Sequence, residues 1–163
     1  MHEISLDIQG LGIIFYSPAA VTHIPEGADY FQSDFSQPAN VARHVMECQL
    51  TGFGTGSSGS FGLRFHEGPP DDEAVACAQF KLRLGLQVHG GVLCVRDLYD
   101  LMDWTQACPD TQKLCVPEGW YRLTLCSSPP PSSILGDGQC IDVFLEFVEN
   151  RPQLKWEGVP SLC

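Results

Sequence analysis

The chain has 163 residues, 44% hydrophobic and 18% charged, and its 20 acidic against 9 basic residues leave a formal charge of −11. That length fits one domain spanning residues 1–163 with a hydrophobic core of its own, and the apolar fraction rules against disorder. The charge rules against phosphate-directed binding of nucleic acid, which needs a basic face, and the apolar runs are too short to span a membrane as a helix.

The opening MHEISLDIQG lacks a basic region followed by an apolar stretch, so a soluble, cytoplasmic protein is expected. Within it Ile4, Leu6 and Ile8 alternate with Ser5, Asp7 and Gln9, the period of two that buries one face of a strand. Residues 11–16 form a second apolar run, and a hairpin about residues 10–12 is expected. Residues 17–40 carry Pro18, Pro25, Glu26, Gly27 and Pro38 with scattered Tyr30, Phe31 and Phe35. They read as a long loop with a short strand at 20–23, and a loop of that length is a candidate for function.

Residues 41–51, VARHVMECQLT, fit two patterns. Ala42, Met46, Cys48 and Leu50 alternate as a strand would, whereas a helix would group Val41, Val45 and Cys48. The strand is preferred, because the turn-forming TGFGTGSSGS follows and residues 61–66 then offer a matching partner with Leu63 and Phe65 on one side. HEGPPDDE interrupts the pattern. Phe80, Leu82, Leu84, Leu86 and Val88 form the longest clean alternation, His89-Gly90-Gly91 supplies a turn, and residues 92–95 return. The period then changes: Leu98, Leu101 and Met102 share one side of a helical turn while Asp97, Asp100 and Asp103 share another.

After a polar connection, residues 120–126 alternate through Tyr121, Leu123 and Leu125, a proline-rich loop intervenes, and residues 140–149 place Ile141, Val143, Leu145 and Phe147 on one face. In the tail, Leu154, Trp156 and Val159 are expected to pack across an open end of the sheets. Eight or nine short strands with one short helix predict an antiparallel two-sheet β-sandwich, with a flattened β-barrel as the alternative.

Eight cysteines, at 48, 77, 94, 108, 115, 126, 140 and 163, fit either a disulfide framework or buried thiols. Cys77, Cys94, Cys126 and Cys140 fall in expected strands and no CxxC pair occurs, which favours reduced thiols; Cys108 and Cys115, in one polar loop, are the pair expected to oxidise most readily. GFGTGSSGSFG lacks the lysine of a phosphate loop and the strand–turn–helix setting of a nucleophilic serine. The five histidines never occur as HxH or HxxxH, and neither the 71–73 acids nor the Asp97, Asp100, Asp103 set has the spacing of a calcium loop. No catalytic residue, metal or cofactor is assigned.

The feature left is a binding face. Asp97, Asp100 and Asp103, with Tyr99 and Trp104 beside them and Glu118 and Trp120 shortly after, combine negative charge with the aromatic anchors that dominate interfaces. A protein partner with a basic surface fits them. Two alternatives differ in class: a carbohydrate- or small-molecule-binding module using Tyr30, Phe31, Trp104 and Trp120 as a stacking platform, and a metal-dependent enzyme assembled from scattered His, Asp and Glu.

The stretch VPEGWYRLTLC followed by CIDVFLEF resembles the C-terminal half of the competence protein J family of bacterial nuclease inhibitors, and is similar to small β-sandwich immunity proteins encoded beside polymorphic toxins. The resemblance implies a cytoplasmic, non-enzymatic inhibitor that plugs the active site or substrate groove of a cognate toxin of the nuclease type. It supplies no catalytic residues to carry over.

Overall fold

Alternation along the strands sets the inner face of a five-stranded sheet. In the computed structural model, which describes residues 2–154 and 160–162, this sheet is built from β1 (His2–Ile8), β4 (Gly59–Glu67), β9 (Asp137–Val148), β8 (Gly119–Ser127) and β5 (Phe80–Val88), in that order. Ile4, Leu6 and Ile8 of β1, Phe61, Leu63 and Phe65 of β4, and Leu82, Leu84, Leu86 and Val88 of β5 are all buried, as the period of two requires. Ile141, Val143 and Leu145 of β9 and Tyr121, Leu123 and Leu125 of β8 complete the face. Neighbours are antiparallel except β4 and β9, which run parallel.

The second sheet has four strands in the order β3 (Leu50–Gly54), β2 (Gly12–Tyr16), β6 (Val92–Asp97), β7 (Lys113–Cys115). All five residues of β2, GIIFY, are buried, because this sheet is covered on both faces. Phe15 points inward and meets Phe53 and Phe65, with ring centroids 5.7 and 6.3 Å away. Ile14 and Tyr16, paired across the ladder with Arg96 and Cys94, point outward into a third layer. The two sheets face each other without closing into a barrel.

The three hairpins expected from sequence do not form. β1 and β2, β3 and β4, and β5 and β6 each lie in different sheets, so the glycine turns between them are arches that carry the chain from one sheet to the other. Turn chemistry marks a reversal of direction, and an arch and a hairpin both need one. Residues 41–51 are also corrected. α1 (Pro38–Glu47) takes the helical grouping, burying Val41, Ala42, His44 and Val45, with Pro38 in the first turn and Cys48 ending it in the left-handed region at φ 59°. Met46, which the strand reading placed inside, is 38% exposed.

Other departures are local. Residues 18–21 form a 3-10 turn where a strand was expected, a π-turn spans Phe31–Phe35, and Cys77 lies exposed in a short helix, α2 (Asp72–Cys77), instead of in a strand. Phe147 alternates with the core yet is 59% exposed, since the second sheet ends before covering it. Leu154 packs near Gly85 at the edge of β5; Trp156 and Val159 lie outside the described residues. At Gly85 a Cβ would sit 2.6 Å from Cys48 Sγ, so the absence of a side chain lets the end of α1 close over this edge strand, where Gln87 N–H donates to Cys48 O at 2.7 Å.

Leu84 and Phe147 occupy equivalent sequence rhythms but different environments. Leu84→Ala is expected to cost about 2–5 kcal/mol in urea unfolding, and Phe147→Ala less than about 1 kcal/mol. Equal losses would contradict the assignment of the inner face.

Candidate interaction surface

Two insertions build the third layer. Residues 17–49 separate β2 from β3, and residues 98–112 separate β6 from β7, although each pair of strands is adjacent in the sheet. Both insertions fold back over the outward face of the four-stranded sheet. They bury Val21, Ile24, Leu101, Trp104 and Cys108 there, against Tyr16 and Cys94.

Arg96 joins the layer to the sheet. Its side chain is 4% exposed; Nε donates to Asp100 at 2.8 Å, and one terminal nitrogen donates to Tyr16 Oη at 3.2 Å and Thr105 O at 2.7 Å. Its guanidinium carbon lies 4.4 Å from the centroid of the Trp104 ring, which meets Tyr16 edge-on at 5.5 Å. Burial works against the charge, and the hydrogen bonds with Tyr16 and Asp100 outweigh it, so the guanidinium stays charged. Burial also pushes the Tyr16 hydroxyl well above the usual tyrosine range, which keeps it neutral.

The acidic turn Leu98–Met102 is a 3-10 turn whose first backbone amides are held by Asp97. That carboxylate accepts from Tyr99 N at 3.0 Å, Gln9 N at 2.8 Å and Gly10 N at 3.2 Å, which ties the turn to the β1–β2 arch. The Tyr99 ring lies against Gly10, where a Cβ would stand 2.7 Å from a ring carbon and 2.6 Å from Asp97 Oδ1. Tyr99 also meets Phe31 edge-on at 6.0 Å. The long loop is sewn on from the other side: Gly27 N–H donates to Trp104 O at 2.7 Å, Trp104 N–H to Ala28 O at 3.1 Å, and the Gln106 amide to Val21 O and Ile24 O at 2.9 and 2.8 Å.

The structure thus sorts the sequence candidates. Trp104 is buried, and its indole N–H is unpaired among the described residues, so it packs the layer and does not present itself to a partner. Asp97 is occupied by backbone amides and Asp100 by Arg96. Asp103 and Tyr99 are exposed, together with two residues that sequence reasoning missed, Met102 and Leu11, at 45% and 54%. Met102 was expected to share the buried side with Leu101, but a five-residue 3-10 turn advances about 120° per residue and keeps only one of them inside. Leu11 could have been found from its place between Gly10 and Gly12 at a chain reversal.

Glu118 and Trp120 belong elsewhere. Gly119 pairs with Val88 and Val116 N–H donates to Gly91 O, so they sit at the end where β6 begins, about 17 Å from where it delivers Asp97. Nearby is a cleft of about 570 Å³ lined by Phe65, Leu114, Val116, Tyr121, Leu145 and Phe147. The aromatic platform expected from Tyr30, Phe31, Trp104 and Trp120 is therefore not assembled: Trp104 is inside and Trp120 is at the other end.

Charge follows the same division. Residues 17–37 contain Glu26, Asp29 and Asp34, residues 97–112 contain Asp97, Asp100, Asp103 and Asp110, and neither stretch contains a lysine or arginine. Arg64, Lys81, Arg83 and Arg122 lie instead on the outward face of the five-stranded sheet, the opposite side of the molecule. There Arg64 and His66 both reach Asp142 at 2.7 Å and Arg122 reaches Glu146 at 3.1 Å.

Within the acidic layer a polar chain links His23 Nε2 to Tyr30 Oη at 3.3 Å, Tyr30 Oη to His44 Nε2 at 3.4 Å, and His44 to Asp34 at 3.4 Å. The Phe35 ring stacks on His44 at 4.9 Å. Burial depresses the His44 pKa below the usual histidine value, with Arg43 adding to the effect, while the Tyr30 hydroxyl and His44 hold the Asp34 carboxyl below the usual carboxylate value. Among the described residues, no three His, Cys, Asp or Glu side chains are grouped to hold a metal ion, and no helix is long and apolar enough to cross a membrane.

No family model and no curated protein matches the sequence. The fold has counterparts among solved structures. It is similar to ComJ from Bacillus subtilis, described as an inhibitor of the DNA degrading activity of NucA, at 10% identity and a TM-score of 0.55, covering 91% of this chain and 96% of that one. It is also similar to the protein of crocagin biosynthetic gene J, at 17% identity and a TM-score of 0.52, covering 87% of this chain and 94% of that one. The chain thus has a ComJ-like fold over nearly its whole length.

Three outcomes follow from this geometry. Arg96→Ala is expected to destabilise by about 3–5 kcal/mol in urea unfolding, because Asp100, Tyr16 and Thr105 lose their shared donor. Gly10→Ala is expected to cost about 1–3 kcal/mol, through displacement of Asp97 and Tyr99. Because folding lowers the His44 pKa, the unfolded chain takes up a proton first as pH falls below the ordinary histidine value; stability is therefore expected to drop on acidification from pH 7 to 5, and the drop to shrink in His44→Gln. The Asp34 contribution has the same sign but is lost only at lower pH, below the carboxylate range.

Proposed function

We propose that this chain is a non-enzymatic inhibitor of the immunity type, which binds a nuclease-type toxin through its acidic third layer. The observation that carries the reading is the coincidence, on one side of the molecule, of two acidic stretches free of lysine and arginine, residues 17–37 and 97–112, with the exposed apolar side chains of Tyr99, Met102 and Leu11. Enzymes that act on nucleic acid present a basic cleft, and an acidic body carrying a few apolar anchors is complementary to it. The solved ComJ structure, described as that of a nuclease inhibitor, shares this fold and supports the reading at the level of architecture.

In this mechanism the −11 charge and its segregation steer the encounter, and Tyr99, Met102 and Leu11 supply desolvated contact once the surfaces meet. Asp97, Asp100 and Trp104 act as the frame that holds them. Asp103, with Glu26 and Asp29 from the neighbouring loop, forms the charged rim. Inhibition is steric: the partner's groove is occupied and its substrate excluded. Such a protein works in the bacterial cytoplasm, beside the nucleic acid it protects. Glu118 and Trp120, at the other end, lie outside this face.

The test is calorimetric titration of the purified chain with a nuclease encoded beside its gene. Submicromolar binding is expected, with affinity falling as salt rises from 50 to 500 mM because exposed charges are screened over about 10 Å at 0.1 M. Tyr99→Ala combined with Asp103→Lys is expected to weaken binding by tenfold or more while the chain still unfolds in a single cooperative urea transition. Absence of binding below micromolar concentration, or full retention by the double variant, would overturn the proposal.

A further inference from the structure

At the end of the molecule where β6 begins, the inner face of the larger sheet runs on past the strands that cover it. Alternation carries the inward side of β4 from Leu63 and Phe65 to Glu67, and that of β9 from Leu145 to Phe147. Glu67 pairs with Leu145, and Phe147 with Tyr121, so a carboxylate and two aromatic rings share one side of the sheet. A Cβ on Gly119 would collide with the Phe147 ring. The bare backbone therefore seats that ring, which meets Tyr121 edge-on at 5.6 Å. Leu114 of β7 and Val116 just after it form the facing wall of the cleft, whose volume of about 570 Å³ is that of a small-ligand site.

The lining sets the charge of what the cleft can take. Among the described lining residues Glu67 is the one carboxylate, and no lysine or arginine is present. His66 borders the cleft but turns its ring to the outer face, where Nε2 meets Asp142 at 2.7 Å and the ring stacks on Phe144 at 4.6 Å. Glu67 is exposed, and no ion pair or hydrogen bond engages its carboxylate among the described residues. The Tyr121 hydroxyl is spent on Pro117 O at 2.7 Å, which leaves its ring as the surface it offers. Burial raises the pKa of that hydroxyl and the Glu67 carboxylate adds to the effect, so the two groups lie within electrostatic reach of each other.

We propose that this cleft binds a small organic cation, an alkyl- or aralkylammonium, with its apolar body between the sheets and its charged head beside Glu67 and the rings of Tyr121 and Phe147. A carboxylate alone on a wet surface holds an ammonium weakly. Here the rings attract the same charge through their quadrupoles, and apolar walls keep water from screening it. An anion would meet Glu67 with no cation to receive it, and a neutral molecule would gain from the walls alone. The site lies outside the acidic layer on which docking is proposed, and it needs no partner protein.

The full chain is titrated at pH 8 with 4-phenylbutylammonium, 4-phenylbutanol and 4-phenylbutyrate, three probes with one apolar body and different heads, and followed by amide NMR shifts. The ammonium is expected to shift the amides of Glu67, Tyr121 and Phe147 and to bind about tenfold more tightly than the alcohol, with the carboxylate weakest. Glu67→Gln should bring the ammonium to the affinity of the alcohol and leave the alcohol unchanged, which shows that the cleft is intact. Phe147→Ala should weaken both. Equal affinity for ammonium and alcohol, a preference that survives Glu67→Gln, shifts centred on Tyr99, or no saturation by the ammonium at millimolar concentration would each overturn the proposal. The combined Tyr99→Ala and Asp103→Lys variant is expected to bind the ammonium as the wild type does, so the result stands or falls apart from nuclease binding.

Discussion

A buried guanidinium holds the acidic side of this protein in place. Arg96 reaches outward from β6 into the third layer, and satisfies Asp100, Tyr16 and Thr105 from one rigid fork while Trp104 covers its face. A charge removed from water is costly unless each donor is used, so the arrangement constrains four segments at once. The turn, the loop that follows it and the second strand are all fixed relative to β6 by that requirement. A lysine could not replace it, since a point charge on a flexible stem cannot hold three acceptors in one plane.

From this constraint comes the division of labour along the acidic turn. Residues that look alike in sequence are separated by what they touch: Asp97 caps amides, Asp100 anchors Arg96, and Asp103 faces solvent. The same holds for the aromatics, where Trp104 packs and Tyr99 projects. A surface built in this way has a rigid frame behind a few exposed side chains, which limits the conformational entropy lost on association. The apolar anchors are modest in number, so the binding proposed here leans on charge for its rate and on Tyr99, Met102 and Leu11 for its lifetime.

What the sequence determined by itself is the inner face of the larger sheet. Ile4 to Ile8, Phe80 to Val88 and Ile141 to Leu145 each alternate, and a period of two admits one buried side whatever the neighbours are. The resemblance carried by residues 116–126 and 140–147 pointed to the same ComJ-like fold that the structure shows over nearly the whole chain. Only the tertiary structure decided which strands pair, because a glycine turn reverses the chain equally well within a sheet or between sheets. It likewise decided the helix at Pro38–Glu47, where short apolar spacings fit both periods until packing against the sheet edge selected one. And it decided the site: the spacing of Asp97, Asp100 and Asp103 shows charge, but which carboxylate is free depends on partners 87 and 88 residues away, at Gly10 and Gln9, and on an arginine whose burial no local pattern announces.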